Sequence, residues 1–176
     1  MLPLPRGTCI VNDQESVKIR QAVSGDCAII LKFIKDLAEY ENLLHEVVAT
    51  EAGLAETLFG ERPGAEVLIA EWSGQPAGFA LFFPNYSTFL ARPGIYLEDL
   101  YVQPEFRGRG IGKQLLSHLA KITVKRKCGR LDWSVLDWNE PAIRFYQSIA
   151  ACAMSDWTQY RLTGKPLLEL ARAARH

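Results

Sequence analysis

The sequence predicts an α/β domain: a mixed sheet with helices on both sides. Three observations carry this. After a short opening strand the hydrophobic pattern runs at a helical period and changes to a strand period near residue 65. From there the elements run strand, strand, strand, helix, strand, helix, strand, an order that needs both hairpin and crossover connections. The chain has 176 residues, 48% of them hydrophobic and 23% charged, enough apolar material for one core and too much for a disordered chain.

Residues 1–16 hold no consistent period and read as an N-terminal arm, with one domain over 17–176. Residues 17–23, VKIRQAV, alternate apolar and polar and read as a strand. Ser24 then offers a hydroxyl to uncapped amides, and Asp26 adds negative charge to the first turn. Cys27, Ile30, Leu31, Ile34, Leu37 and Ala38 recur at three- and four-residue steps, marking the buried face of a helix from about 25 to 41. Thr50 opens a shorter helix that Gly60 and Pro63 close. AEVLIAEW (65–72) and PAGFALFF (76–83) are strands joined by the turn SGQ. Residues 84–94 read as an aromatic-bearing loop and IYLEDLYV (95–102) as the next strand. A helix from Ile111 to about Lys127 buries Leu115, Leu119 and Ile122, and RLDWSVLD (130–137) is a further strand. Asn139 caps a helix with Pro141 in its first turn, where a missing N–H costs nothing. WTQYRL (157–162) alternates like a strand, and Thr163 opens a last helix containing Leu167, Leu168 and Leu170.

Composition narrows the function. Twenty Lys and Arg balance twenty Asp and Glu, which argues against a broad basic face for nucleic acid. No run approaches the ~18 apolar residues of a membrane span, and the N-terminus lacks the apolar core of a signal peptide. Cys9, Cys27, Cys128 and Cys152 form no CxxC pair, and His45, His118 and His176 are scattered. No metal site is therefore expected, and the cysteines read as reduced and mostly buried in a cytoplasmic protein.

The most informative stretch is Arg107-Gly108-Arg109-Gly110-Ile111-Gly112-Lys113, set between a strand and a helix. Glycines there let a ligand approach the backbone, and the first helical amides favour an anionic phosphate. The dinucleotide pattern G-x-G-x-x-G fails because its last glycine falls on Lys113. The P-loop fails because Arg107 sits where glycine is needed and Gln114 where Ser or Thr should be. R-x-x-G-x-G after a strand does fit, and it resembles the acyl-CoA pyrophosphate loop of the GNAT superfamily of N-acetyltransferases. Downstream, WNEPAIRFYQSIAA (138–151) resembles the family segment in which an Asn touches the cofactor arm and a Tyr faces the thiol. IYLEDLYV and the early KDLAEYENL narrow the resemblance to the spermidine/spermine (diamine) and thialysine branch. It spans roughly residues 17–170. It implies the GNAT fold, with a mostly antiparallel sheet of six to seven strands flanked by helices, and acetyl-CoA as co-substrate.

An amine cannot attack a thioester while protonated, and an exposed amine is mostly ammonium at neutral pH. The resemblance implies Glu98 as the carboxylate near the acceptor amine, taking its proton directly or through water. Glu98 and Asp99 are neighbours on a strand, so strict alternation sends them to opposite faces. Asp99 would then meet a remote positive group of the substrate. Tyr146 is implied as the general acid returning a proton to the thiolate; taken by itself, a Tyr in an RFY helix end would be a packing residue. Backbone groups of Leu100, Tyr101 and Val102 would hold the pantetheine arm as an added strand. Amides from Gly108 through Arg109, Gly110, Ile111 and Gly112 to Lys113, beside Arg107, would hold the pyrophosphate, and Asn139 the arm. Tyr40 and Glu41 would line the acceptor cleft, while Trp138 and Trp157 read as core.

Three departures from the family pattern stand out. Gln147 and Ser148 replace the basic residues after Tyr146, leaving residues 125–127 or Arg144 for the 3′-phosphate. Ala150 stands where a glycine is usual. WTQYRL carries no carboxylate, which favours a small amino-acid-like amine over a long polyamine. The expected protein transfers acetyl to a primary amine of a diamine, polyamine or thialysine-like molecule, as a homodimer without nucleic-acid or membrane partners. The alternatives are a protein-amine acetyltransferase and a non-catalytic CoA-binding module.

Overall fold

The computed structural model describes residues 16–174, which form two compact units divided between Ser134 and Val135. The expected arm lies outside the described residues except for Ser16, whose carbonyl accepts from the Ser73 amide at 3.3 Å.

The first unit holds one sheet in the order β1 (Val17–Gln21), β2 (Glu66–Trp72), β3 (Gln75–Ser87), β4 (Arg92–Val102) and β5 (Leu131–Trp133). The first four strands run antiparallel in sequence, and β5 lies parallel to β4. Helices α1 (Cys27–Tyr40) and α2 (Glu51–Phe59) precede β2, and α3 (Ile111–Lys125) crosses from β4 to β5. Val67, Ile69, Phe79 and Tyr101 share a buried cluster with Ile30 and Phe33 of α1 and Leu58 of α2. The Phe33 ring stacks on Phe79 at 5.6 Å and meets Tyr101 at 6.0 Å. Alternate residues Leu68, Ala80, Phe82 and Leu97 are buried too, as are Ile111, Leu115 and Leu119 of α3. A sheet covered on both faces buries both sets of an alternating strand, hence the near-continuous apolar runs of β2 and β3.

Local chemistry explains most boundaries. Ser73 and Gly74 both have positive φ (48° and 79°) between β2 and β3, the pattern of a tight type I′ hairpin. Thr50 caps α2 by accepting from the Gly53 amide at 3.1 Å. Asp26, not Ser24, stands at the N-cap position of α1, and its side chain bonds no α1 amide but turns back toward β1. The Asp26 carboxylate accepts from the Val23 amide at 2.8 Å and from the Arg20 guanidinium at 2.7 and 2.8 Å. These charge-assisted bonds tie β1 to the start of α1, and Arg20 holds the Asp26 carboxyl below its usual range.

The sheet departs from the sequence reading in three places. Residues 84–87 belong to β3, although Pro84 suggested a loop. The β2 ladder ends at Glu66 opposite Phe82, so beyond it β3 has an open edge where a missing N–H is tolerated. Second, β5 is three residues long, pairing with β4 only from Ile95–Leu131 to Leu97–Trp133. Third, residues 157–162 form no strand and are exposed. Alternation supplies strand competence, but a strand also needs a neighbouring edge to pair with, and none takes up this segment. The sheet therefore has five strands where six to seven were expected.

The second unit contains α4 (Glu140–Ser148) and α5 (Gly164–Arg172). Asn139 caps α4, its side chain accepting from the Ala142 amide at 3.3 Å, with Pro141 in the first turn. Thr163 precedes α5 but makes no side-chain cap bond. Trp138 and Trp157, expected in a core, are 51% and 71% exposed. Of the described cysteines, Cys27 is buried, Cys128 partly so and Cys152 exposed, fewer buried than expected.

Candidate active site

The register of the β3–β4 ladder shapes the site. Leu81 stands opposite Asp99 and Phe82 opposite Leu97, so Glu98 is an extra residue in β4, a β-bulge. A bulge breaks strict alternation. Asp99 and Tyr101 thus come to share the side of Leu81 and Phe79, the side covered by α1 and α2. Alternation counted from Leu97 would put Asp99 on the other side; the register moves it, and no local propensity signals the shift.

Asp99 is largely withdrawn from water, and Glu98 and Glu41 add negative charge nearby. Burial first, then these two charges, push its carboxyl up to about 6. Burial also raises the Glu41 carboxyl. The bulge and the end of α1 therefore bring Glu41, Glu98 and Asp99 into one electrostatic neighbourhood, with Tyr40 as the last residue of α1.

Past Leu97 no described strand of the sheet pairs with the β5 side of β4, so residues 98–102 extend beyond the β4–β5 ladder. Backbone groups of Leu100, Tyr101 and Val102 lie on this stretch. The end of β4 is held firmly: the Gln103 amide bonds to the Ala77 carbonyl at 2.9 Å and its side-chain amide to the Pro76 carbonyl at 2.7 Å. At Gly78, opposite Val102, an added Cβ would lie 2.4 Å from the Tyr101 carbonyl oxygen, so only glycine permits this approach.

The glycine loop follows. Gly108 (φ 76°) and Gly110 (φ 77°) both adopt left-handed backbone, with open space where a Cβ would stand. The first bond of α3 runs from the Gln114 amide to the Gly110 carbonyl at 3.0 Å. The amides of Ile111, Gly112 and Lys113 consequently precede the helical ladder, at the positive end of the dipole. Gly112 comes within reach of Val102, whose Cγ2 would lie 3.9 Å from an added Cβ. Open left-handed glycines, first-turn amides and an adjoining strand edge fit a diphosphate joined to an extended arm.

Two arginines of the loop are held by aromatic rings. The Arg109 guanidinium lies 4.9 Å from the Trp72 ring and 5.9 Å from Phe106. The Arg107 guanidinium lies 5.1 Å from Tyr40 and 5.8 Å from Tyr101, and its Nε donates to the Val102 carbonyl at 2.9 Å. Sequence reasoning placed Arg107 in the loop but missed its bond to β4 and its contact with α1. Those partners lie far apart in sequence, and no motif signals them.

In the second unit, Asn139 serves as the α4 cap, and the Tyr146 ring lies 5.5 Å from Phe145. Ala150 follows α4 with φ 62°, the left-handed conformation of the glycine usual at that place. Of the basic residues considered for a 3′-phosphate, Arg126 is paired bidentately with Glu66 at 2.5 and 2.7 Å, and Arg144 with Glu140 at 3.3 Å. Among the described residues no group of three His, Cys, Asp or Glu is placed to hold a metal, and no helix is long and apolar enough to cross a membrane.

A family model described as the acetyltransferase (GNAT) family matches residues 34–150, from within α1 through the glycine loop to α4. The chain belongs to the GNAT acetyltransferase family. This GNAT protein is 39% identical over 167 residues to a thialysine N-epsilon-acetyltransferase of Sus scrofa, covering 89% of this chain and 98% of the relative. It is 35% identical over 164 residues to a human spermidine/spermine N(1)-acetyltransferase-like protein 1, covering 88% of this chain and 24% of that longer one. Among solved structures, an integron cassette protein from the mobile metagenome of V. cholerae superposes with a TM-score of 0.75 at 31% identity, covering 90% of this chain and 99% of that one. These matches bear out both the family and its diamine and thialysine branch. The GNAT chain is an N-acetyltransferase, and acetyltransferases of this family use acetyl-CoA.

Proposed function

We propose that this enzyme acetylates a primary amine on a small molecule of the thialysine or diamine class. The observation that carries the reading is the placement of Glu41, Glu98 and Asp99 about one bulged strand that leads directly into the glycine loop. Cation-seeking carboxylates and an anion-seeking loop follow one another along β4. The names of the similar proteins, which act on thialysine or belong with spermidine/spermine acetyltransferases, support the same class.

When bound, acetyl-CoA supplies an activated acetyl thioester. The amides of residues 108–113 bind the diphosphate, and the β4 edge past Leu97 holds the arm by main-chain groups of Leu100, Tyr101 and Val102, the Val102 carbonyl also accepting from Arg107 Nε. Arg107, Arg109 and Lys113 add positive charge there. Asn139 caps α4 and steadies the helix that carries Tyr146. Glu98 takes a proton from the acceptor ammonium, directly or through a water. Asp99 and Glu41 hold a second positive group, and Tyr40 packs against the acceptor's carbon chain. As the amine nitrogen bonds to the acetyl carbon and the C–S bond breaks, Tyr146 Oη gives its proton to the departing thiolate. The protein acts as a cytoplasmic homodimer.

Thiol release measured over thialysine, lysine, a short diamine and spermidine tests the reading. Turnover is expected with thialysine or the diamine, and a fall of about 10²-fold in Tyr146→Phe. CoA binding without turnover on any amine would defeat the proposal. Equal rates in the two proteins would remove only the acid role of Tyr146. Acetylation confined to peptide amines, read by intact mass, would move the acceptor to proteins.

A further inference from the structure

The side chain of Arg107 is committed to more than a phosphate. Its Nε is bonded to the Val102 carbonyl at 2.9 Å, at the last residue of β4. Its guanidinium lies 5.1 Å from the Tyr40 ring and 5.8 Å from the Tyr101 ring. Tyr40 closes α1 immediately before Glu41, whereas Tyr101 is 5% exposed and packs against Phe33 of the same helix. One planar cation thus touches three elements: the strand edge, the loop and the end of α1. A lysine cannot reproduce this, because an ammonium is a point charge without a stacking plane.

We infer that Arg107 is a positioning residue coupling cofactor and acceptor binding, with the Arg107–Tyr40 contact as the link. The inference rests on the proposed placement of the acceptor beside Tyr40 and Glu41. Ordering residues 107–113 on a diphosphate fixes the Arg107 backbone, and the Val102 bond and Tyr101 ring then fix its head. The held guanidinium presents a preset partner to Tyr40, so less ordering of the end of α1 remains when the amine arrives. Coupling of this kind is reciprocal: an amine that orders Tyr40 tightens the cofactor by the same factor.

Calorimetric titration with CoA, which lacks the acetyl group and cannot turn over, measures the factor with and without a saturating amine from the panel. In the wild type the amine should tighten CoA by about 5- to 20-fold. Arg107→Lys keeps the charge but loses the stacking plane, so CoA alone should weaken by up to about 10-fold while the factor falls to within about 2 of unity. Tyr40→Leu should abolish the factor in the same way, and Tyr40→Phe, which retains the ring, should restore most of it. Because Tyr40 is 37% exposed, these variants are expected to melt near the wild type.

A wild-type factor near one overturns the inference. So does an undiminished factor in Arg107→Lys or Tyr40→Leu. Loss of CoA affinity by more than about 10-fold in Arg107→Lys with the factor intact would make Arg107 a plain phosphate ligand. Failure of the wild type to bind CoA or any amine would instead defeat the proposed function itself, and the coupling with it.

Discussion

Asp99 lies directly opposite Leu81 across the β3–β4 ladder, while Leu97 lies opposite the next residue, Phe82. The extra residue between them, Glu98, turns Asp99 toward the α1 and α2 side, where its carboxyl is raised to about 6. Strand position alone would not produce that setting.

A consequence appears in the pH dependence of stability. The unfolded chain titrates Asp99 near its ordinary 3.8 and the folded chain near 6, so the folded state holds the proton more tightly. The stability from this group is complete below pH 3.8 and is lost as pH rises through about 6. Asp99→Asn cannot ionise, so it should be more stable than the wild type at pH 8, by about 3 kcal/mol, with the gap closing below pH 4. Urea melts at several pH values measure the gap. An acceptor ammonium next to Asp99 would lower its pKa, so amine binding should release a proton near pH 6 in the wild type and not in the variant.

Gly108 and Gly110 should resist substitution for conformational reasons rather than steric ones. Their φ values of 76° and 77° lie in the left-handed region, yet nothing stands within 4 Å of an added Cβ. Alanine at either position should cost about 1–2 kcal/mol if the loop keeps its shape. If the loop relaxes, melting should change little and CoA affinity should fall by about tenfold or more. Thermal melts together with titration distinguish the two routes.

Gly78 makes the opposite case. Its φ is not in the left-handed region, but a Cβ there would stand 2.4 Å from the Tyr101 carbonyl oxygen. Gly78→Ala must push β3 and β4 apart where Val102 precedes the loop. We expect destabilisation of about 2 kcal/mol or more by denaturant melts, accompanied by weaker CoA binding.

Ala150 offers a stabilising change. It holds φ 62° after α4, which costs a non-glycine residue about 1–2 kcal/mol. Glycine removes that strain but adds roughly 0.4–1 kcal/mol of unfolded-chain entropy. The strain is the larger quantity, so Ala150→Gly should raise the melting temperature by a few degrees. A fall in the melting temperature would contradict the strain assignment.

Much of this molecule is legible before folding is considered. Periodicity located α1, α3, β2 and the core of β3, since a buried face imposes its own spacing. Turn and cap chemistry located Ser73–Gly74, Thr50 and Asn139, because those residues act on amides within three positions of themselves. The loop at residues 107–113 was readable for the same reason: its glycines, first-turn amides and arginines are consecutive in the chain.

Features that depend on a distant partner were decided only by the tertiary structure. Alternation in residues 157–162 marked a strand, but no edge pairs with it, so none formed. The Glu98 bulge depends on the register between two strands, which leaves no mark on either one. The raised Asp99 carboxyl needs Glu41 from another element, and the seat of Arg107 needs Tyr40 and Val102. The balanced charge of 20 against 20 was set by composition alone. How that charge was sorted, with acid around Asp99 and base along 107–113, required β4 to carry the chain from one to the other.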